Sequence, residues 1–527
     1  MRALRGWVRG NAKRLTLLPF LATPLLQAQT SSKTPEYEVS THLVQFGVIA
    51  RSKDGRANNL TKRDFVVIDR GKPHALSVFQ AESAGPTPMP AALPPNTFSD
   101  ESRYNGEPPR TVTIVLLDNL NTVFGSDPQP YEDTPFWLED HALGLAKERL
   151  LGFLRHMDAG DRVPIYGLTD RLRVLCDFTC SRDQLLAVVG AYDARSSVAR
   201  ESSNPQNFHL PEVPEAFNQA IDEDTRDLAA INNERRAALT MAALTAIAVH
   251  VADLPGRKNL LWLTADLPAS GEAIAAVLAR GKLVAYPVDA RGLLPTAVIP
   301  LGPAPVLPGQ SAMVDIAADT GGRAFLNTNN LTDAIRQVVE DSAATYTLGF
   351  YLPEQEVDGK FHRITVEVKK PGIALTYPRG YFAFRDGGMS EDDRRSAFLA
   401  AIRSPLDSSA VPVDVRLTRV EQPSHSVQIV GVAGIGGVPF EQQGEVRTGA
   451  LDIYAIEQDA SGNVLEQVNQ QMNLKLSEQQ YRTYLKSGIL FRGMVALKPG
   501  ATVLRVLVQD AGTAEVGCVI VPLERVK

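Results

Sequence analysis

Only three cysteines occur in 527 residues, which excludes a disulfide framework as the source of stability. Cys176 and Cys180 lie four apart and Cys518 is remote, so at most one bridge forms and one thiol is left over. No further Cys or His stands near the C-x3-C pair in sequence. A metal knuckle is therefore disfavoured, leaving buried thiols or one local disulfide. Basic charge is also short: 54 Lys and Arg face 60 Asp and Glu, giving a net charge of −6 and a pI near 5.9. Without a basic field or a Lys/Arg run, nucleic acid is excluded as a partner. The HExxH, G-x-S-x-G and P-loop patterns are missing as well, which weakens any enzymatic reading. Beyond the N-terminus no apolar run approaches the ~18 residues that a membrane span needs, so no integral span is expected in the mature chain.

The N-terminus itself is organised differently. Arg2, Arg5, Arg9, Lys13 and Arg14 lead into an apolar stretch from Leu15 to Leu26, followed by small and polar residues. This layout predicts a secretory signal peptide over residues 1–28 and hence an exported protein, periplasmic, cell-surface or secreted. An uncleaved N-terminal membrane anchor is the alternative, although Pro19 and Pro24 interrupt a stretch already short for a span.

At about 100–200 residues per domain, the length predicts about three or four domains. Residues 36–80 alternate and turn like a small β module, with His42 and His74 in strand context and read as packed or surface residues. Residues 81–109 hold seven prolines and read as a linker. From 110 to 344 strands alternate with helices. TVTIVLLD, KNLLWLTAD and KLVAYPVDA are continuous apolar runs of the kind buried on both faces of a parallel sheet. Ser181 caps SRDQLLAVVGAY, a roughly 193–233 insertion lacks a strong pattern, and RRAALTMAALTAIAVHVADL is helical. The predicted class is α/β, a doubly wound, mostly parallel, Rossmann-like sheet flanked by β-sandwich-like domains. Residues 345–385 form a further β segment that would pair with 36–80, and residues 411–527 form a C-terminal β-sandwich-like domain. The GVAGIGG run at 431–437 is followed by VPFEQQ instead of a helix, which rules out a dinucleotide loop.

Within TVTIVLLDNLNT, Asp118 and Thr122 follow the apolar run immediately, at the carboxyl edge where open α/β sheets bind ligands. Both carry hard oxygens of the type that Mg²⁺ takes. Asp289 and Arg291 follow another strand and read as a structural pair. Glu139, Asp140 and His141 read as a solvated cap, and Arg257 and Lys258 as the mark of a turn.

The succession LLDNLNT, ERLLGFLRHMDAGDRVPIYGL, LRVLCDFT, LPGRKNLLWLT, YPVDARGL, DTGGRAF, TDAIRQVVEDS, YTLGFY and DGKFHRITVEVKKPGIALTYPRGYF resembles the von Willebrand factor A-related family described from Acidobacteria. DGRANNLTKRDFVVIDRGKPHALSVFQ is similar to that family's N-terminal β segment, so the resemblance covers residues 36–385. It implies a von Willebrand A-like fold and a metal-ion-dependent adhesion site. Such a site has D-x-S-x-S after the first strand, a Thr from a second loop, an Asp after the fourth strand, and Mg²⁺ or another divalent cation completed by a partner's carboxylate. Here the motif reads D-N-L-N-T: Asp118 matches, Thr122 replaces the second Ser, Leu120 stands where the first Ser should be, and Asn121 is one residue out of place. The second-loop Thr has no clear counterpart, Thr240 being the candidate, and Asp266 stands one residue late.

The metal residues are thus Asp118, Thr122 and Asp266, with a degenerate site as the alternative. The expected function is non-enzymatic recognition of a protein or cell-surface partner at that edge. A structural or assembly module with a dead ion site and a hydrolase using a metal at Asp118 are the runners-up.

Overall fold

Period-two alternation builds the outermost layers. In Phe65–Asp69 and Phe361–Val368 every second side chain is buried, which is what a strand with one covered face requires. The computed structural model describes residues 41–53, 55–57, 59–81, 93–100, 111–122, 147–148, 150–156, 163–178, 180–192, 215–252, 254, 256–291, 309–328, 330–384, 395, 398–399, 401–420, 425–513 and 515–527. The residues assigned to the signal peptide, and the Glu139, Asp140 and His141 cap, lie outside that set.

Strand Thr41–Ser52 runs antiparallel to Thr345–Pro353, with Phe46 opposite Leu348 and Val48 opposite Tyr346. Phe65–Asp69 runs antiparallel to Phe361–Val368. The two sheets share one core of Val48, Val67, Leu348, Phe350 and Val366. Residues 41–81 and 345–384 therefore close on each other across everything that separates them in sequence.

Between them lies a five-stranded sheet in the order Leu283–Asp289, Arg257–Thr264, Thr111–Asp118, Ile165–Leu168, Leu172–Cys176. The first four strands pair in parallel and the last antiparallel. Every residue of Arg257–Thr264 and Leu283–Asp289 is buried because both faces are covered. On one face Ile114, Leu116, Leu260 and Trp262 meet Leu244 and Ile247 of helix Glu215–His250 and Ile274 of helix Gly271–Arg280. On the other, Val115, Leu117, Leu261 and Tyr286 meet Leu185 of helix Arg182–Ala191 and Ile335 of helix Leu331–Ala343. Each such fully buried large side chain contributes about 1.5–3 kcal/mol.

The expected class does not hold for the chain. It is mostly β, 43% strand against 28% helix, and among the described residues four of the five sheets are wholly antiparallel. A doubly wound, mostly parallel α/β fold is therefore not the correct description. The reason is physical: long apolar runs dominate a sequence reading, whereas short half-buried strands outnumber them in the folded molecule.

The C-terminal region packs a six-stranded sheet on a four-stranded one around Val415, Leu417, Ile429, Leu451, Val506 and Val519. One strand of the smaller sheet comes from the stretch read as a linker. Thr97–Ser99 pairs antiparallel with Val413–Val420, Phe98 enters the core, and Asp100 accepts a hydrogen bond from the Val413 amide at 2.8 Å. The patternless insertion also holds structure, since the helix begins at Glu215, well before the expected start. Ser181 caps its helix by accepting from the Gln184 amide, and Gly321 closes helix Gln310–Thr320 with a φ of 79° that L side chains avoid.

Candidate functional site

Strand Thr111–Asp118 ends by placing the Asp118 carboxylate, fully buried, at the carboxyl edge of the parallel strands. Its Oδ1 accepts from the Asn121 amide at 3.1 Å, and its Oδ2 from Asn121 Nδ2 and Trp262 Nε1, both at 2.8 Å. Burial lifts its pKa from 3.8 to about 6, against hydrogen bonds from Asn121, Trp262 and Thr264 that stabilise the anion. Asn121 Nδ2 also donates to Thr240 Oγ1 at 2.8 Å, and Asn121 Oδ1 accepts from Arg236 Nε at 3.3 Å.

Arg236 and Thr240 lie one turn apart on helix Glu215–His250 and both face this edge. The Arg236 guanidinium, 2% exposed, continues through Nη2 to Asp266 Oδ2 at 3.4 Å and through Nη1 to Asn233 Oδ1 at 3.2 Å. Asp266 itself follows strand Arg257–Thr264, its side chain 20% exposed, and its backbone carbonyl accepts from Thr264 Oγ1. Thr122 points its hydroxyl at the carbonyl of Asn119, 3.1 Å away.

The structure thus brings Asp118 and Asp266 to neighbouring strand ends and links them through Asn121 and Arg236, while Thr122 is spent on its own loop. Sequence reasoning missed Arg236, although a residue one turn before the candidate Thr240 on the same helical face was there to be considered.

Magnesium asks for free oxygen lone pairs in a regular shell. Asp118 already accepts three hydrogen bonds, Leu120 has no donor atom and is buried in the core, and Thr122 is engaged. A guanidinium touches both Asn121 and Asp266, and a dication there would face it directly. Among the described residues no group of three or more His, Cys, Asp or Glu side chains is placed to hold a metal ion. The residues present do not fit the ion that the D-N-L-N-T motif suggested.

Asp289, one strand further along, is closed in the same way. Arg291 binds it with Nε and Nη2 at 2.8 and 2.9 Å, and Gln310 Nε2 donates to it at 2.8 Å.

The opposite, amino edge is polar too. Arg257 donates from Nε to Asn259 Oδ1 at 3.0 Å and from Nη2 to Tyr286 OH at 2.9 Å. Tyr286 OH lies 3.4 Å from Asp341 Oδ2, and Arg51 of strand Thr41–Ser52 reaches Asp341 Oδ1 at 2.6 Å. A Cβ on Gly47 would come within 2.6 Å of Arg257 Nη1, so glycine is what lets that guanidinium in. Lys258, 1% exposed, donates to the carbonyl of Ala252 at 2.8 Å. The expectation that Arg257 and Lys258 only mark a turn is corrected: both are buried structural donors.

A third polar cluster joins the parallel strands to the C-terminal region. His250 lies 3.3 Å from Asp177 Oδ2 and 2.9 Å from the carbonyl of Asp407, and Tyr166 OH donates to Asp177 at 3.0 Å. Burial works to lower the His250 pKa, but the charge and hydrogen bond of Asp177, joined by the charge and backbone carbonyl of Asp407, together lift the value to about 9. Nearby, Cys176 and Cys180 are paired as a disulfide and Cys518 is a buried free thiol.

No family model matches the chain, and no curated protein matches it. Among solved structures, proximal thread matrix protein 1 from the mussel byssus matches at 10% identity and a TM-score of 0.24, over 46% of this chain and 48% of that chain. The same mussel protein with a zinc-occupied MIDAS motif matches at the same identity and TM-score, over 53% and 50%. This chain thus spans about half the length of the solved structures it matches, and a likeness at this level assigns neither fold nor role. No helix among the described residues is long and apolar enough to cross a membrane.

Proposed function

We propose that the protein is an exported, non-enzymatic binding or assembly component of von Willebrand A-related type whose contacts with a protein or cell-surface partner need no bridging ion. One observation carries this reading. At the carboxyl edge, Asp118, Asp266 and Asp289 are each engaged by the chain's own donors, two of them by arginines. Among the described residues, Asp118, Asp266 and Asp289 are thus spent on internal bonds and do not pair a free base with a nucleophile. Recognition then falls to the β surfaces, where Val464, Val468, Leu490 and Met494 of the C-terminal region are exposed. The arginine-rich N-terminus followed by an apolar stretch supports export, and the succession of segments that resembles the von Willebrand A-related family is compatible with adhesion and assembly alike.

Retention of a cell-surface partner on the immobilised full chain, compared in EDTA and in Mg²⁺, tests the proposal. Equal retention is expected. Turnover of ester, phosphate or peptide substrates that Asp118→Ala abolishes would overturn the non-enzymatic reading.

A second reading, recognition through Mg²⁺ or another divalent cation at Asp118, Thr122 and Asp266, is favoured by the placement of Asp118 and Asp266 after adjacent parallel strands. Retention lost in EDTA and restored by Mg²⁺ would select it.

A further inference from the structure

We infer that the guanidinium of Arg236 is a built-in cation, occupying the role that a divalent ion would play in tying together the loops at this edge. The inference rests on the proposal that the edge works without an ion.

The loops in question are those after Thr111–Asp118 and after Arg257–Thr264; the Ala265 amide joins them by donating to the Asn121 carbonyl at 3.2 Å, and the Arg236 side chain bonds to both. It reaches Asn121 Oδ1 at 3.3 Å in the first and Asp266 Oδ2 at 3.4 Å in the second. Its burial removes the solvent screening that makes most surface pairs weak, and its planar fork lets Nε and Nη2 address the two loops at once. Charge supports the same assignment. Asp118 and Asp266 bring two carboxylates to neighbouring strand ends, and a buried monocation between their loops offsets part of that charge where a dication would face the guanidinium. Position supports it too. Thr240, one turn later on the same helix, accepts a hydrogen bond from Asn121 Nδ2 at its hydroxyl oxygen, so a single helical face supplies both the cation and the polar contact beside it. Asp289 shows that this is a habit of the edge, since Arg291 closes it with two bonds of 2.8 and 2.9 Å.

A tethered cation does not dissociate. The loop arrangement should therefore be indifferent to chelators and to divalent-ion concentration, and removing Arg236 should open a cation-accepting vacancy between Asn121 and Asp266.

Calorimetric melting of the full chain and of Arg236→Ala, each in EDTA, in Mn²⁺ and in low guanidinium chloride, tests this. The wild-type transition should be the same in EDTA and Mn²⁺. That of Arg236→Ala should fall, and Mn²⁺ or guanidinium should raise it again, an effect lost when Asp266→Asn is added. If Arg236→Ala does not fold, its refolding yield with and without the two cations reads the same outcomes. A Mn²⁺-dependent rise in the wild type that Asp118→Asn removes would overturn both this inference and the ion-free proposal. A wild type indifferent to Mn²⁺ beside an Arg236→Ala that melts unchanged, or that neither cation rescues, would overturn the inference alone.

Discussion

The two ends of the parallel strands each carry a buried polar network, and the two differ in reach. At the carboxyl edge Asp118, Asn121, Thr240, Arg236 and Asp266 join loops to a helix within one unit. At the amino edge Arg257, Tyr286, Asp341 and Arg51 join that unit to the sandwich formed by residues 41–81 and 345–384. The lesson is that a buried charge is not by itself a sign of chemistry. One edge holds its own loops in place, and the other fastens two parts of the molecule.

The largest break in this comparison should come from Arg257→Ala. It strips buried partners from Asn259, Tyr286 and the Gly321 carbonyl, and a loss of about 3–5 kcal/mol is expected in the first urea transition. A loss below about 1 kcal/mol would mean that the amino edge does not fasten the two parts.

The carboxyl edge should announce itself through pH. The Asp118 pKa is raised in the folded state, from 3.8 to about 6, so the native state binds the extra proton and this group's contribution falls as pH rises through that window. The fall amounts to about 3 kcal/mol at most. Asp118→Asn should remove it, so the stability gap between wild type and variant, measured from pH 4 to 7, should shift by up to that amount. A constant gap would show that Asp118 does not titrate there.

Arg51→Ala sharpens the comparison from the other side of the amino edge, leaving Asp341 buried and short of its 2.6 Å partner. About 2 kcal/mol is expected, seen as faster amide exchange in strand Thr41–Ser52. The smallest effect is expected from Arg379→Ala, whose pairs with Asp315 and Asp319 lie at the surface. It should cost less than about 1 kcal/mol, and a larger loss would mean that exposed pairs matter here as much as buried ones.

Much of the local structure was legible. TVTIVLLD, KNLLWLTAD and KLVAYPVDA read as buried strands because strands covered on both faces must be apolar throughout, and each is a strand. Asp118 and Asp266 were legible for the same reason, as the polar residues that end such runs. The class of the whole chain was not, because antiparallel strands such as Phe361–Val368 are individually weak signals that become dominant only when counted together. Arg236 was hidden by its company. The helical stretch read from sequence opens with two arginines, which suggests a solvated face, and only the fold shows that the second of them is inside. Arg257 and Lys258 misled for a related reason: charged residues beside a Pro-Gly pair look like a turn, and nothing in their spacing tells that another part of the chain will cover them.

The strand Thr97–Ser99 has a bearing on the order in which the molecule can be made. Its partner, Val413–Val420, lies more than 300 residues later, and the neighbouring Asn96 side chain exchanges hydrogen bonds with the backbone of Lys527, at 3.1 Å in both directions. Thr41–Ser52 likewise waits for Thr345–Pro353. During synthesis Thr97–Ser99, and Thr41–Ser52 apart from its short pairing with Gly55–Arg56, wait for their partners until most of the chain has emerged, a state in which folding is slow and strands invite the wrong neighbours. With this wiring the partners of both early strands arrive late in the chain, and a product ending before residue 527 leaves Asn96 without its clasp.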